Sequence, residues 1–220
     1  MAEALVRPGA RFADVGTDHA YLPIHLYRAG RISYAVAADI AEGPLDRARE
    51  NLVAAGLSDK VKLLLADGLT GMEGLSLTDI AVCGMGGEMI AAILAAAPFV
   101  RDPAVRLILQ PMTKADALRT YLAAEGFSVF CERYAVEDGR AYVCLGAAYD
   151  GRVRTASPVS AVLGEKAVRD VRDREAFLTY LDIREREVRG RLLGKRAGGA
   201  DTAADEALLA AIAEERNGSV

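Results

Sequence analysis

Residues 14–23 read DVGTDHAYLP. The stretch leads from the end of an apolar run into the start of a helical pattern, and a single glycine, Gly16, lies between the two. Folds that bind a pyrophosphate use several glycines at this turn so that the backbone can approach the phosphates. Here the side chains of Asp, Thr, His and Tyr surround one glycine instead. The stretch therefore predicts a strand-to-helix loop that binds a ligand without a phosphate.

Short apolar runs alternate with helical patterns on both sides of this loop. The runs of strand length are RFADV (11–15), YAVAA (34–38), VKLLLA (61–66), DIAVC (79–83) and RLILQ (106–110). The helical patterns between and after them cover 20–30, 43–56, 87–97 and 114–126. Nearly continuous apolar strands that alternate with helices predict a parallel sheet covered on both faces.

The order of elements changes after residue 126. Two β-rich runs, 127–136 and 141–149, are joined by EDGR, which is a hairpin signal. We therefore predict an α/β domain over 1–150, with a mostly parallel seven-stranded sheet that ends in an antiparallel hairpin. Residues 150–158 have the composition of a linker.

The C-terminal part of the chain is helical in pattern. Apolar residues recur near heptad spacing in 159–194, and a second helical stretch covers 202–216. Glycines and charged residues at 194–201 separate the two. This pattern predicts an antiparallel helical hairpin with coiled-coil character, which forms a second domain over 151–220.

The composition excludes several classes of protein. With 52% hydrophobic and 26% charged residues, the chain has the composition of a soluble globular protein. The longest apolar run, residues 89–100, is too short to cross a bilayer, and no secretion-signal pattern opens the chain. Three cysteines without a CxxC pair argue against disulfides and a zinc site. We expect a cytoplasmic monomer with no metal and no membrane partner.

The charge is unevenly distributed. Residues 151–196 hold twelve Lys and Arg against seven Asp and Glu, although the whole chain has a formal net charge of −4. A basic segment on an acidic protein suggests a polyanionic partner. The alternative interpretation is a solvated helix with many i,i+4 ion pairs.

Acidic residues and glycines follow the predicted strands. Because the carboxyl ends of parallel strands meet at one edge, these residues form one candidate site. Asp39 lies 23 positions after Gly16, the place of a ribose-binding acid, and Asp67 could accept from an adenine amine. The alternative for either acid is a purely structural role in stabilising a turn. Asp14 lies within an apolar strand, where a buried charge without a partner is unfavourable. We therefore expect it either to hold the turn or to bind a cationic ligand. S-adenosylmethionine, a sulfonium nucleoside without phosphate, fits these residues.

Five motifs occur in a fixed order: GTDHAYLP (16–23), DIAEGPL (39–45), ADGL (66–69), GMGGEMI (84–90) and ILQPM (108–112). With them the chain resembles the bacterial tRNA adenine-22 N1-methyltransferase family over essentially its whole length. The resemblance implies a Rossmann-like, class I methyltransferase domain that uses S-adenosylmethionine, and a C-terminal coiled-coil domain. It also implies tRNA as the partner, with the basic C-terminal domain as an RNA-binding clamp. The family usually has a helix before the first strand, and here that helix is shortened or absent.

The resemblance assigns roles to the strand ends. It implies that Asp14 and Gly16 hold the methionine part of the cofactor and that Asp39 holds the ribose. It places the adenine at Asp67 and Gly68. The full set of expected cofactor-binding residues is Asp14, Gly16, Thr17, Asp39, Ile40, Asp67, Gly68, Gly84 and Met85.

The expected reaction needs alignment more than acid–base catalysis, since adenine N1 attacks the methyl group with its own lone pair and the product is cationic. Asp18 is the first candidate for stabilising that charge. His19 and Tyr21 could orient or stack on the adenine, and Gln110 could hydrogen-bond its edge. Packing or loop-holding roles are the alternatives for these three, and His25 is expected to pack. GMGG replaces the D/N-P-P-Y type motif of N6-adenine methyltransferases, which favours a different target atom.

Three other functions remain open from the sequence. A nicotinamide-dependent dehydrogenase would use the same type of sheet, although the chain lacks G-x-G-x-x-G. An RNA-binding protein without catalysis would rely on the helical hairpin. A methyltransferase of similar fold could act on another RNA or on a small molecule.

Overall fold

The structure is a computed structural model that describes residues 1–217. Its centre is a seven-stranded sheet in the order β3-β2-β1-β4-β5-β7-β6. The strands are β1 (Ala10–Val15), β2 (Ile32–Asp39), β3 (Val61–Leu65), β4 (Asp79–Gly86), β5 (Arg106–Thr113), β6 (Phe127–Glu137) and β7 (Arg140–Tyr149). The first five strands are parallel, and β7 runs antiparallel to both β5 and β6. The predicted sheet and its terminal hairpin are confirmed.

Helices cover both faces of the sheet, as the nearly continuous apolar strands predict. On one face lie α1 (Ala2–Leu5), α2 (Tyr21–Arg28) and α3 (Glu42–Ala55), and on the other lie α4 (Gly87–Ala95) and α5 (Ala115–Ala124). Strand β2 shows why both faces must be covered. Ala35 and Ala37 belong to one buried cluster and Val36 and Ala38 to the other, because successive side chains of a strand point to opposite faces.

The N-terminal segment is short but firmly attached. Helix α1 has a single turn. After it, the guanidinium of Arg7 donates to the completely buried carboxylate of Asp79 at 2.9 Å and to the carbonyl of Ala104 at 2.8 Å. The segment therefore covers the amino-terminal edge of the sheet, opposite the candidate site.

The C-terminal helices are α6 (Pro158–Leu163), α7 (Arg174–Ala197) and α8 (Ala203–Asn217), with 3-10 turns at Lys166–Val168 and Val171–Asp173. The hairpin of α7 and α8 is confirmed, but the continuous helix predicted over 159–194 is wrong. Gly164 ends α6 at φ +70°, and a Cβ there would lie 2.2 Å from Oε2 of Glu132. The Asp170 side chain then accepts from the Arg172 N–H and fixes the next turn. The helix is interrupted because the backbone at Gly164 packs directly against the buried carboxylate of Glu132 in β6.

The C-terminal helices share a hydrophobic core with the sheet. Phe177 and Tyr180 of α7 and Leu208 of α8 are buried in the same cluster as Tyr134 and Val143 of the hairpin. The rings of Tyr134 and Phe177 meet edge to face, with their centroids 5.0 Å apart. The division into domains 1–150 and 151–220 stays a prediction, and its last three residues lie outside the described part of the chain. The shared core holds the helical hairpin against the sheet.

Candidate cofactor and active site

The loop after β1 depends on its one glycine. Gly16 has φ +75°, and the N–H groups of Gly16 and Thr17 donate to the carbonyl of Ala38 at 2.8 and 3.0 Å. A Cβ on Gly16 would lie 2.3 Å from the Cε atom of Met85. The glycine therefore allows both the left-handed turn and the close approach of the Met85 side chain from the end of β4.

Asp14 is a buried acid at the end of β1. It accepts a hydrogen bond of 2.6 Å from the hydroxyl of Thr17. Burial raises the pKa of Asp14 to about 6, while the hydrogen bond from Thr17 acts in the opposite direction. No Lys, Arg or His within residues 1–217 forms an ion pair with it. Both of its predicted roles fit, since the carboxylate holds the turn and can still accept a cationic group.

The tip of β2 presents a second acid. Asp39 is half-buried, and one of its carboxylate oxygens accepts from the N–H of Ala41 at 3.0 Å. Its backbone carbonyl accepts from the N–H of Ala66 at 2.9 Å, which joins the ends of β2 and β3. The next residue, Ile40, is 68% exposed. A carboxylate with a free oxygen next to an exposed apolar side chain can bind a ribose diol and the face of a base.

The end of β3 opens into a cavity of about 250 Å³. Asp67 and Gly68 form one side of it, and Met89 and Ile93 of α4 form the other. Gly68 has φ +57°, and a Cβ there would lie 3.1 Å from Ile93. An exposed carboxylate beside apolar walls has the chemistry that an adenine with an exocyclic amine requires.

The last part of β4 is held by Gln110. The side-chain oxygen of Gln110 accepts from the N–H of Gly84 at 2.9 Å, and Gly84 has φ +81°. The Gln110 amide nitrogen has only long contacts, 3.4 Å to the carbonyl of Pro111 and 3.6 Å to the sulfur of Met112. Gln110 therefore performs the loop-holding role that its sequence position left open, and its amide N–H groups remain near the candidate site.

The three catalytic candidates after Gly16 lie at the surface. Asp18, at φ +42°, forms an ion pair with Arg47 of α3 and lies 3.4 Å from the imidazole of His19. The hydrogen bond from Arg47 lowers the pKa of Asp18. The rings of His19 and Tyr21 are stacked, with centroids 5.0 Å apart and planes 9° apart. The loop thus combines a charged carboxylate with a flat aromatic surface.

Two features of this region do not follow from the sequence. Arg47 lies 29 positions after Asp18, and no motif links the two residues. His25, which was expected to pack, is instead exposed, and its imidazole lies 2.8 Å from the carboxylate of Glu3. The expectation for His25 was wrong because α2 is a surface helix whose outer face carries this residue.

The residues present fit S-adenosylmethionine. Asp14 offers a buried carboxylate without a cationic partner, Asp39 offers a free oxygen, and Asp67 lies in a cavity large enough for a base. Within residues 1–217 no group of three or more metal-binding side chains occurs. The cysteines form no disulfide there, and burial raises the pKa of Cys144 to about 12, so this thiol is unreactive. In the same part of the chain, no helix has the length and apolarity needed to cross a bilayer.

Comparison with known proteins identifies the fold and several relatives. A sequence profile described as "Methyltransferase domain" matches residues 1–145. The tRNA (adenine(22)-N(1))-methyltransferase of Bacillus subtilis (strain 168) is 36% identical over 150 residues, which is 65% of this chain and 63% of that protein. The match thus spans less than two thirds of this curated relative's length.

Two solved structures resemble nearly the whole chain. A putative tRNA (m1A22) methyltransferase of Streptococcus pneumoniae in complex with S-adenosyl-L-methionine is 32% identical, with a TM-score of 0.79 over 94% of this chain and 96% of that one. The M1A22 tRNA methyltransferase of B. subtilis is 28% identical, with a TM-score of 0.76 over 97% and 92% of the two chains. The likeness therefore includes the C-terminal helices.

Proposed function

The chain belongs to the family of tRNA (adenine-22-N1)-methyltransferases, and from this premise we propose that it methylates N1 of adenine 22 in tRNA with S-adenosylmethionine as the methyl donor. One observation supports the proposal above all others. Three acids, Asp14, Asp39 and Asp67, end neighbouring parallel strands at one edge, and the turn between β1 and α2 has one glycine. That arrangement suits a cationic nucleoside and is poor for a pyrophosphate.

Each acid has a distinct part in holding the cofactor. Asp14 and the turn at Gly16 bind the methionine part, where the carboxylate attracts the ammonium group. Asp39 accepts from the ribose hydroxyls, and Ile40 packs against the nucleoside. Asp67 and Gly68 bind the adenine in the cavity that α4 closes. When bound, S-adenosylmethionine supplies an electrophilic methyl group on a sulfonium.

The chain's other residues prepare the acceptor base. N1 of adenine carries an in-plane lone pair, so no base has to remove a proton before attack. The stacked rings of His19 and Tyr21 orient the adenine, and Gln110 contacts its edge. Asp18 stabilises the positive charge that develops on the base. Because N1 is on the Watson–Crick edge, the target adenine has to be unpaired or extruded, at a cost of a few kcal/mol.

The C-terminal helices act as the RNA-binding part of the enzyme. Residues 151–196 carry the excess of basic residues, and structured RNA is recognised largely through its backbone and shape. We expect reversal of Arg184, Arg186 and Arg189 to Glu to weaken tRNA binding and to leave cofactor binding unchanged. The protein is proposed to work in the cytoplasm, where tRNA is modified, and to be a monomer.

Primer extension tests the proposed activity directly. The purified protein is incubated with S-adenosylmethionine and an unmodified tRNA transcript that carries adenine 22, and reverse transcriptase is then run along the product. N1-methyladenine cannot form a Watson–Crick pair, so a new stop is expected next to position 22. A transcript with guanine at position 22 is the control and gives no new stop. The absence of a stop on the adenine-22 transcript contradicts the proposal.

A further inference from the structure

A cleft lies between the end of β5, the start of β7 and the inner side of α7. It consists of two adjoining cavities of about 410 and 560 Å³. Met112, Thr113, Arg184 and Glu187 line both cavities. None of the expected cofactor-binding residues lines either cavity, so the cleft is separate from the cofactor site.

The cleft opens at the same edge of the sheet as the candidate active site. Gly86, the last residue of β4, pairs in register with Thr113 at the end of β5. Strand β7 runs antiparallel to β5, so its first residue, Arg140, lies at the edge where β5 ends. Gln110 connects the two sites, because it holds Gly84 and directly precedes the cleft-lining Pro111.

The cleft is positively charged on a protein that is acidic as a whole. The acids that line it are Asp116 and Glu187. The cations that line it are Lys114, Arg140, Arg184, Arg186 and Arg191. Arg191 is paired with Asp205 at 2.6 Å, but the other four cations still outnumber the two acids, and this excess at the edge of the active site favours an anionic ligand.

Several of these cations have N–H donors that are not used in an ion pair. In the part of the chain that the structure describes, Lys114 and Arg140 form no ion pair, and Arg186 donates only to the backbone carbonyl of Asp182. Arg184 pairs with Glu187 at 3.0 Å, but its buried Nε–H has no acceptor. A buried donor without an acceptor is costly, so a ligand oxygen in the cleft would satisfy it.

Several basic residues away from the cleft are already neutralised. Arg189 pairs with Glu185 at 2.6 Å, and Arg216 approaches the same carboxylate at 2.6 Å. Arg196 pairs with Glu206 at 2.9 Å. Among Arg184, Arg186, Arg189 and Arg191 in the middle of α7, Arg186 is therefore the one without a carboxylate partner in the described part of the chain, and it lines the cleft.

An aromatic side chain lies among the cleft cations. Tyr142 is half-buried in the wall formed by β7, next to Arg140. Within residues 1–217 its ring stacks on no other aromatic ring and its hydroxyl forms no hydrogen bond. Cations interleaved with a free aromatic ring are the combination that binds single-stranded nucleic acid, since phosphates pair with the cations and a base stacks on the ring.

We propose that this cleft binds the single-stranded RNA segment next to the target adenine, with its phosphates on Lys114, Arg140 and Arg186 and a base on Tyr142. The inference rests on the proposed function, which it deepens by assigning the path of the substrate strand. The extruded adenine lies at the His19–Tyr21 surface, and its neighbours along the strand continue past Gln110 into the cleft.

A triple variant tests the phosphate contacts. In Lys114→Ala/Arg140→Ala/Arg186→Ala, the dissociation constant for the unmodified tRNA transcript is expected to rise about tenfold or more, and the slope of log K against log salt to fall by about 2. The matched control, Arg28→Ala/Arg49→Ala/Lys62→Ala, removes the same charge from the surface of α2, α3 and β3. It is expected to change tRNA affinity less than twofold. Fluorescence anisotropy across a salt series measures both.

Two further measurements complete the test. Tyr142→Ala is expected to weaken tRNA binding and Tyr142→Phe to retain it, because only the ring is needed. Calorimetric titration with S-adenosylmethionine shows whether each variant keeps its cofactor site. Equal losses of tRNA affinity in the cleft triple variant and in the control triple variant would show that net charge alone matters and would overturn the proposal. If wild type gives the stop at position 22 and the cleft triple binds tRNA normally, the cleft proposal fails while the proposed function stands.

Discussion

The Nε atom of Arg119 lies 2.7 Å from a carboxylate oxygen of Glu132, and both side chains are at least 95% buried. The same guanidinium donates to the backbone carbonyls of Ala161 and Val162 at 3.0 and 3.1 Å. A single buried cation on α5 therefore connects the sheet with α6 and with the start of the C-terminal helices.

Removal of this cation should be strongly destabilising. Arg119→Met leaves the buried Glu132 carboxylate without its cation, although the Tyr134 hydroxyl still donates to it, and breaking a buried pair costs about 3–5 kcal/mol of the free energy of unfolding. Urea denaturation followed by circular dichroism measures the change. The control is Arg101→Met, which removes a half-exposed pair with Glu125 and should cost less than about 1 kcal/mol. Similar losses in the two variants would contradict the structural role of Arg119.

Gly16→Ala should abolish most cofactor binding. The new Cβ would lie 2.3 Å from the terminal methyl of Met85, so the end of this expected cofactor-binding side chain has to move, and residue 16 would keep a φ of +75° that alanine rarely adopts. We expect the dissociation constant for S-adenosylmethionine to rise at least about tenfold, since a displacement of one ångström is enough to disrupt such a site. Calorimetry measures the affinity.

Gly9→Ala is a matched control for that variant. Gly9 has the same φ of +75°, but no atom lies within 4 Å of the position of its Cβ. The backbone strain of about 1 kcal/mol should therefore appear in stability and not in cofactor affinity. Gly16→Ala/Met85→Ala should bind S-adenosylmethionine as well as Met85→Ala does, since the clash is then removed. Weaker binding by the double variant than by Met85→Ala would mean that backbone strain, and not contact with Met85, explains the loss.

Cofactor binding should depend on pH through Asp14. Burial raises the pKa of this acid to about 6, so the carboxylate that attracts the ammonium group of the cofactor is protonated at lower pH. Affinity for S-adenosylmethionine should be constant above pH 7 and should fall by up to about tenfold for each pH unit below 6. Titrations at several pH values measure it. In Asp14→Asn the affinity should be low at every pH, and a pH dependence like that of wild type in this variant would contradict the assignment.

The same raised pKa has a consequence for stability. The folded state keeps a proton on Asp14 at pH values where the unfolded chain has lost it, so folding is favoured at low pH by this group. That contribution is lost as pH rises from the ordinary pKa near 4 to about 6. In the absence of cofactor, the free energy of unfolding of Asp14→Asn, taken relative to that of wild type, should therefore be higher at pH 8 than at pH 4.5. Denaturation at the two pH values provides the comparison.

Asp18→Asn should affect catalysis and not cofactor binding. The substitution removes the negative charge that we propose stabilises the developing cation on adenine, so kcat should fall about 10- to 100-fold. The dissociation constant for S-adenosylmethionine should change less than twofold, because Asp18 points to Arg47 and His19. Asp46→Asn, which removes a similar exposed partner of Arg49, is the control. A normal kcat in Asp18→Asn would exclude Asp18 as a catalytic residue.

The parts of the structure that follow from the sequence are those fixed by local pattern. Alternation of apolar strands and helices is enough to predict the sheet, and the strand ends then place Asp14, Asp39 and Asp67 at one edge without any long-range information. The hairpin follows from its turn residues in the same way.

The missed features depend on contacts between residues distant in the chain. The break at Gly164 is caused by Glu132, and the pairing of Asp18 with Arg47 requires α3 to pack beside the first loop. The alternative interpretation of the basic segment, as a helix with many ion pairs, is correct for Arg189 and its neighbours. The unpaired cations of the cleft can be identified only from the packing of α7 against β5 and β7.

The two carbonyls that Arg119 binds set a condition on how this family can change. A C-terminal helical unit transferred from a relative would have to place backbone carbonyls where those of Ala161 and Val162 lie, or the cation on α5 would lose two of its acceptors. Changes in the C-terminal helices and in the surface of the sheet beneath them must therefore occur together. Chimeric enzymes should join outside this contact, with α5, the hairpin and the helices inherited from one parent.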